Sequence, residues 1–102
     1  HMKIALNKCF GGFRVSKAVF AELGLKWDGY GFLRNEDLGV ESDDYYAYRT
    51  NPRLIAAIEK VGVRDARGQF AKLCIIGVPD GIEWKIEDYD GMETVHEKHR
   101  SW

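Results

Sequence analysis

Four side chains near the C-terminal end, Asp88, Glu93, Glu97 and His99, have the types and spacing to do chemistry if their segments fold as a hairpin. Asp90-Gly91 separates the two runs, and Asp-Gly at such a point is a strong hairpin signal because both residues accept the positive φ of a type I′ turn. A two-residue loop sets Tyr89 opposite Met92, and the remaining pairs follow. One face then takes Glu87 with Thr94, Lys85 with His96 and Glu83 with Lys98, which are polar and mostly charge-compatible. The other takes Asp88 with Glu93, Ile86 with Val95, Trp84 with Glu97 and Ile82 with His99. On this face, which carries the apolar residues, two carboxylates oppose each other and a third faces an indole. Like charges at that distance need a proton, a cation or a basic partner. Three outcomes stay open: neutralisation by Arg100, Lys98 or an arginine from elsewhere; binding of a ligand or divalent metal; or acid–base catalysis. A turn one residue longer would slip the register and dissolve the pairs. Met92–Trp102 is also compatible with a short helix.

A second group is Lys8-Cys9-Phe10-Gly11-Gly12-Phe13-Arg14. Backbone amides at Gly11 and Gly12 can cradle a phosphate, with Lys8 and Arg14 supplying charge. No GxxxxGK[ST] or GxGxxG pattern is present, and a tight strand-to-helix turn explains the glycines equally well. A third group is Tyr45, Tyr46, Tyr48 and Arg49, whose rings and guanidinium suit a stacking platform for a base, or else pack an aromatic loop onto the core. The closing His96-Glu97-Lys98-His99-Arg100-Ser101-Trp102 lacks zinc spacing, and its two histidines point to opposite faces of a strand. Arg100 and Trp102 form a candidate stacking edge or dock the C-terminus.

The elements that must position these groups are few. Lys3–Phe10 reads as a strand with Ile4 and Leu6 on one side and Ala5, Asn7 and Cys9 on the other. Ser16 caps a helix over Lys17–Leu23 that Gly24 closes, and Asn51-Pro52 opens a second that Gly62 stops, with Leu54, Ile55, Ile58 and Val61 as its core stripe. Leu25–Thr50 is an irregular stretch with acidic residues at Glu36, Asp37, Glu41, Asp43 and Asp44, a length that in a compact domain is usually functional or hides further structure. Val63–Gln69 is a polar connection. Ala71–Pro79 and Ile82–Tyr89 form a further hairpin about Asp80-Gly81, with Leu73, Ile75 and Gly77 opposite Asp88, Ile86 and Trp84. The expected architecture is α+β: a mainly antiparallel sheet of about four strands with two helices packed on one face.

The bulk properties bound the function. A chain of 102 residues is a single small domain over 2–102, with His1 before Met2 read as a cloning remnant. Fifteen basic and sixteen acidic residues give a net charge of −1, without the concentrated basic surface that duplex nucleic acid demands. No apolar run approaches membrane length and no signal-peptide pattern is present. Cys9 and Cys74 read as reduced thiols, and nothing local activates Cys9. No resident cofactor is expected beyond a divalent metal at the C-terminal carboxylates.

Four blocks together resemble a family of small proteins from bacteriophages and prophages. They are Lys8-Cys9-Phe10-Gly11-Gly12-Phe13, Tyr48-Arg49-Thr50-Asn51-Pro52-Arg53-Leu54-Ile55, Glu87-Asp88-Tyr89-Asp90-Gly91-Met92-Glu93 and His99-Arg100-Ser101-Trp102. The resemblance implies an accessory phage protein working in the cytoplasm of the bacterial host, a setting in which proteins of this size counter host immunity. The expected function is capture of a nucleotide-like ligand without turnover. Lys8, Gly11, Gly12 and Arg14 would sit on phosphate, Tyr45, Tyr48 and Arg49 on a ring, and Asp88, Glu93, Glu97 and His99 on ribose or a base edge, with Arg100 and Trp102 as a stacking edge. Exposed strand edges also suit a homo-oligomer. The alternatives are a protein–protein inhibitor of a host nuclease or immune effector, using the acidic loop and aromatic edge, and a metal-assisted hydrolase built on Asp88, Glu93, Glu97 and His99.

Overall fold

Short helices and short strands alternate in patches along the chain, and the fold is α+β. The computed structural model describes residues 2–97. Strand β1 (Met2–Asn7) is followed by helix α1 (Lys17–Leu23), helix α2 (Pro52–Val61) and the single turn α3 (Val63–Ala66). Strands β2 (Leu73–Val78), β3 (Trp84–Tyr89) and β4 (Met92–Glu97) complete it.

Local chemistry accounts for the helix ends. Ser16 is extended before α1 and Gly24 sits at φ 71° after it, so its N–H reaches back to the Ala21 carbonyl. The Ser16 hydroxyl makes no capping bond. At α2 the Asn51 side chain accepts from the Arg53 N–H at 2.9 Å, and Pro52 takes the first position, where no amide is required. Leu54, Ile55, Ala57 and Ile58 are buried along its inner face. The stretch expected to be irregular holds two 3-10 turns, Asn35–Leu38 and Ala47–Thr50, and buries Leu33, Leu38 and Tyr48. The polar connection before β2 contains α3, which buries Ala66.

The single four-stranded sheet expected from the sequence is replaced by two two-stranded antiparallel sheets, β1–β2 and β3–β4. The β3–β4 register is the one that Asp90-Gly91 implies: Asp88 faces Glu93, Ile86 faces Val95 and Trp84 faces Glu97. Asp90 and Gly91 adopt φ of 50° and 92°, as a type I′ loop requires. The pair Ile82 with His99 lies outside the described residues.

The expected pairing of β2 with β3 is not formed. β2 instead takes β1, with Ile4 opposite Ile76, Ala5 opposite Ile75 and Leu6 opposite Cys74. The alternation of β1 explains this choice, because both of its faces are apolar and both are used. Ala5, Leu73 and Ile75 join the cluster that holds Val19, Phe20, Leu54 and Ile58. Ile4 and Leu6 join a second cluster with Ile86, Trp84 and Val95. Leu73 and Ile75 therefore share no cluster with Trp84, Ile86 and Val95, contrary to expectation. The apolar face of the β3–β4 hairpin packs on the β1–β2 sheet, and Asp80-Gly81 links the two sheets.

Candidate functional site

The carboxylate conflict on the hairpin is resolved inside the protein. Glu93 is 1% exposed and Arg49 is 2% exposed. Arg49 donates from Nη1 to Glu93 Oε1 at 2.6 Å and from Nη2 to Oε2 at 2.7 Å, a bidentate pair. Glu93 Oε1 also accepts from the Asn7 backbone N–H at 2.9 Å. The guanidinium lies 3.7 Å from the centroid of Phe13 and 5.1 Å from that of Tyr48. Burial pulls its pKa down, but the Glu93 hydrogen bonds and charge together with Tyr48 outweigh that and hold it above the ordinary arginine value. Of the three outcomes left open by the sequence, Glu93 follows neutralisation by an arginine from elsewhere.

Asp88, the opposing carboxylate, is exposed and accepts from the Gly91 N–H at 2.7 Å, which closes the hairpin turn. Glu97 is exposed at the far end of β4, across from Trp84. His99, Arg100 and Trp102 lie outside the described residues. Among the described residues no group of three or more His, Cys, Asp or Glu side chains converges to hold a metal ion.

The Gly11-Gly12 turn is filled rather than open. The Gly11 N–H donates to the Asp90 carbonyl at 3.0 Å, and a Cβ at Gly91 would fall 2.1 Å from the Gly12 nitrogen. The hairpin tip therefore occupies the space where a phosphate was expected. Asn7 completes the clamp, donating from Nδ2 to the carbonyls of Gly91 and Cys9, each at 2.6 Å, and accepting at Oδ1 from the Lys72 N–H. Arg14 stands apart, its guanidinium 4.6 Å from the Phe32 ring centroid.

The expected tyrosine–arginine platform is likewise turned inward. Tyr48 and Arg49 are buried in the core, because the cation–π and carboxylate partners of Arg49 come from this chain. Tyr46 packs at 5.1 Å from Tyr45, and burial followed by the charges of Asp88 and Glu93 raises its phenol pKa. Tyr45 alone of the group faces outward. Cys9 and Cys74 are free and half-buried, and burial pushes the Cys74 thiol up, away from thiolate character.

A different group does reach solvent at the clamped end. Tyr89 is 74% exposed, Phe70 67% and Phe10 54%. Phe10 and Tyr89 meet edge to face at 6.5 Å, and Phe70 lies against Gly11, where an added Cβ would come within 3.1 Å of the Phe70 Cβ. Lys8 and Lys72 extend the β1–β2 ladder, the Lys8 N–H donating to the Lys72 carbonyl at 2.7 Å. The two lysines thus stand opposite each other, one step beyond the last ladder pair, Asn7 and Leu73. The Lys8 ammonium donates to the Glu93 carbonyl at 2.9 Å, and neither lysine pairs with a carboxylate among the described residues. Phe70 moreover holds φ 61°, a left-handed conformation costly for an aromatic residue.

Sequence reasoning placed Lys8 in a binding group but missed Phe10, Phe70, Lys72 and Tyr89. Phe70 carried one signal, as an apolar residue closing a polar connection. Lys8 and Lys72 become neighbours through the β1–β2 pairing, and Tyr89 reaches Phe10 because the hairpin tip seats on Gly11. No family model matches this chain, no curated protein is detectably similar to it, and no solved structure matches it.

Proposed function

We propose that this chain is a small binding protein that captures a nucleotide-like ligand on an open surface, without turnover. The rings of Phe10, Phe70 and Tyr89 stack on the base, and Lys8 and Lys72 meet the phosphate. The observation that carries this reading is the juxtaposition of exposed rings with two facing lysines beside a strained Phe70. Backbone strain costs stability, and such costs concentrate where function needs them. A stacking surface with cations is the chemistry that recognises an anionic planar ligand. The likeness of the four sequence blocks to a phage family supports a counter-defence setting in the bacterial cytoplasm. Among the described residues each strand has a single strand neighbour, which supports pairing between copies along a sheet edge.

The test is thermal denaturation with a panel of mono-, di- and cyclic nucleotides, followed by recovery of the heat-released ligand. A raised melting temperature and an intact recovered nucleotide are expected, because a ligand of the folded state stabilises it. Lys72→Glu should abolish the rise. No rise with any member of the panel would overturn the reading.

A second reading rests on the acidic loop. Glu41 and Asp43 are exposed without ion pairs among the described residues, and Tyr45 stands beside them at an open concavity of about 460 Å³. A basic protein partner, such as a host nuclease or immune effector, fits that chemistry. Glu41→Lys with Asp43→Lys should then release the partner while leaving nucleotide binding intact.

A further inference from the structure

A second exposed aromatic group lies apart from the first. Tyr30 and Phe32 are both exposed, with ring centroids 6.3 Å apart, and Arg14 covers Phe32 at 4.6 Å. The neighbouring Asp28 carboxylate accepts from the N–H groups of Tyr30, Gly31 and Phe32 at 2.7, 2.6 and 3.2 Å. Arg14 pairs with no carboxylate among the described residues.

One segment joins the two groups. Residues 10–14 run beside 68–70: Phe70 abuts Gly11, and a Cβ at Gly68 would fall 2.7 Å from the Arg14 Cβ. Phe10, Phe70 and Tyr89 stand at one end of this pair of segments, and Arg14, Phe32 and Tyr30 at the other. Between them the hairpin tip seats on Gly11 and Gly12, and Gly11 and Gly68 pack against Phe70 and Arg14. The arrangement is a ring-and-cation platform at each end of one pair of segments.

Resting on the nucleotide reading above, we infer that the ligand is a single strand of nucleic acid several nucleotides long. A mononucleotide has one base and occupies one platform, which leaves the other unexplained. A duplex hides its base faces in its own stack and calls for a broader basic surface than a chain of net charge −1 provides. A flexible strand offers successive ring faces joined by anionic links, so bases can stack at both ends while the backbone spans the distance between the platforms. Exposed rings with cations beside them are the usual means of binding single strands without sequence preference.

The experiment is fluorescence anisotropy with 5′-labelled oligothymidylates of two to ten nucleotides, with unlabelled thymidine monophosphate as competitor. Affinity should rise about tenfold or more between the dinucleotide and the octanucleotide, as the second platform engages, and then level off. It should also weaken with added salt. Phe10→Ala should weaken every length. The exposed pair Tyr30→Ser with Phe32→Ser should erase only the gain of the longer strands, with circular dichroism and melting temperature verifying the fold. Equal affinity for the monophosphate and the octanucleotide would overturn this inference and leave the single-nucleotide reading standing. Absence of binding at every length, the monophosphate included, would overturn both.

Discussion

Arg49 and Glu93 form a buried, bidentate ion pair across 44 residues of sequence, with both Nη–Oε distances at or below 2.7 Å. It ties the 3-10 turn before α2 to strand β4, and Asn7 binds the same carboxylate from β1. The side chain that looked poised for chemistry instead holds the hairpin to the body.

Removing either partner leaves an uncompensated charge in the interior. Arg49→Met or Glu93→Leu alone should lower unfolding free energy by about 3–5 kcal/mol. The double variant should lose less than either single one, because an apolar pair of similar volume needs no neutralisation. Urea titrations of the four proteins would measure this. Equal and additive losses would contradict it.

Gly91 is where the hairpin tip meets the Gly11-Gly12 turn. Its φ of 92° and the 2.1 Å approach to the Gly12 nitrogen leave no room for a methyl group. Gly91→Ala should cost about 2 kcal/mol or more, and Gly39→Ala, with nothing within 4 Å of its Cβ position, only about 1 kcal/mol. Denaturant midpoints of the two variants would separate steric from conformational cost.

The hairpin shows how far the sequence reaches. A two-residue Asp-Gly loop dictates its own register, so the opposition of Asp88 and Glu93 was legible residue by residue. The ends of α1 and α2 were legible for the same reason, since Gly24, Asn51 and Pro52 act within one turn. The partner of β2 was not. Asp80-Gly81 signals a reversal, yet a turn does not say which edge the next strand will take, and β1 offered a better match from the far end of the chain. The cation–π chemistry of Arg49 was also present in the residues, but its ring is Phe13 of this same chain. Local patterning cannot tell an internal partner from an external one.

Phe70 sets stability against binding. At φ 61° with most of its ring in solvent, it gains little burial to offset its backbone strain. Phe70→Gly should raise stability by up to about 1 kcal/mol while weakening the ligand. A variant that is destabilised, or that binds as tightly as the parent, would contradict the role assigned to this ring.

Asp28 predicts a local response to acid. Burial nudges its carboxyl up, but the N–H groups of Gly31, Tyr30 and Phe32 dominate and hold it below the ordinary aspartate value of 3.8. A folded-state pKa below the unfolded one means the stabilisation is present above about pH 4 and is lost as pH falls through the depressed value. Amide signals of Tyr30 and Gly31 should therefore shift only in that acid window, and Asp28→Asn should remove the transition. A midpoint above the ordinary aspartate value would contradict the hydrogen-bonded geometry.

The most direct measurement is a ¹H–¹⁵N chemical-shift titration of the protein with a short oligothymidylate. Perturbations should concentrate at Lys8–Arg14, Gly68–Lys72 and Tyr89–Gly91, and with longer strands at Tyr30–Phe32, leaving the buried Tyr48 and Arg49 amides and the acidic loop unmoved. Shifts centred on residues 36–46, or none at saturating ligand, would contradict a nucleotide surface built on Phe10, Phe70 and Lys72.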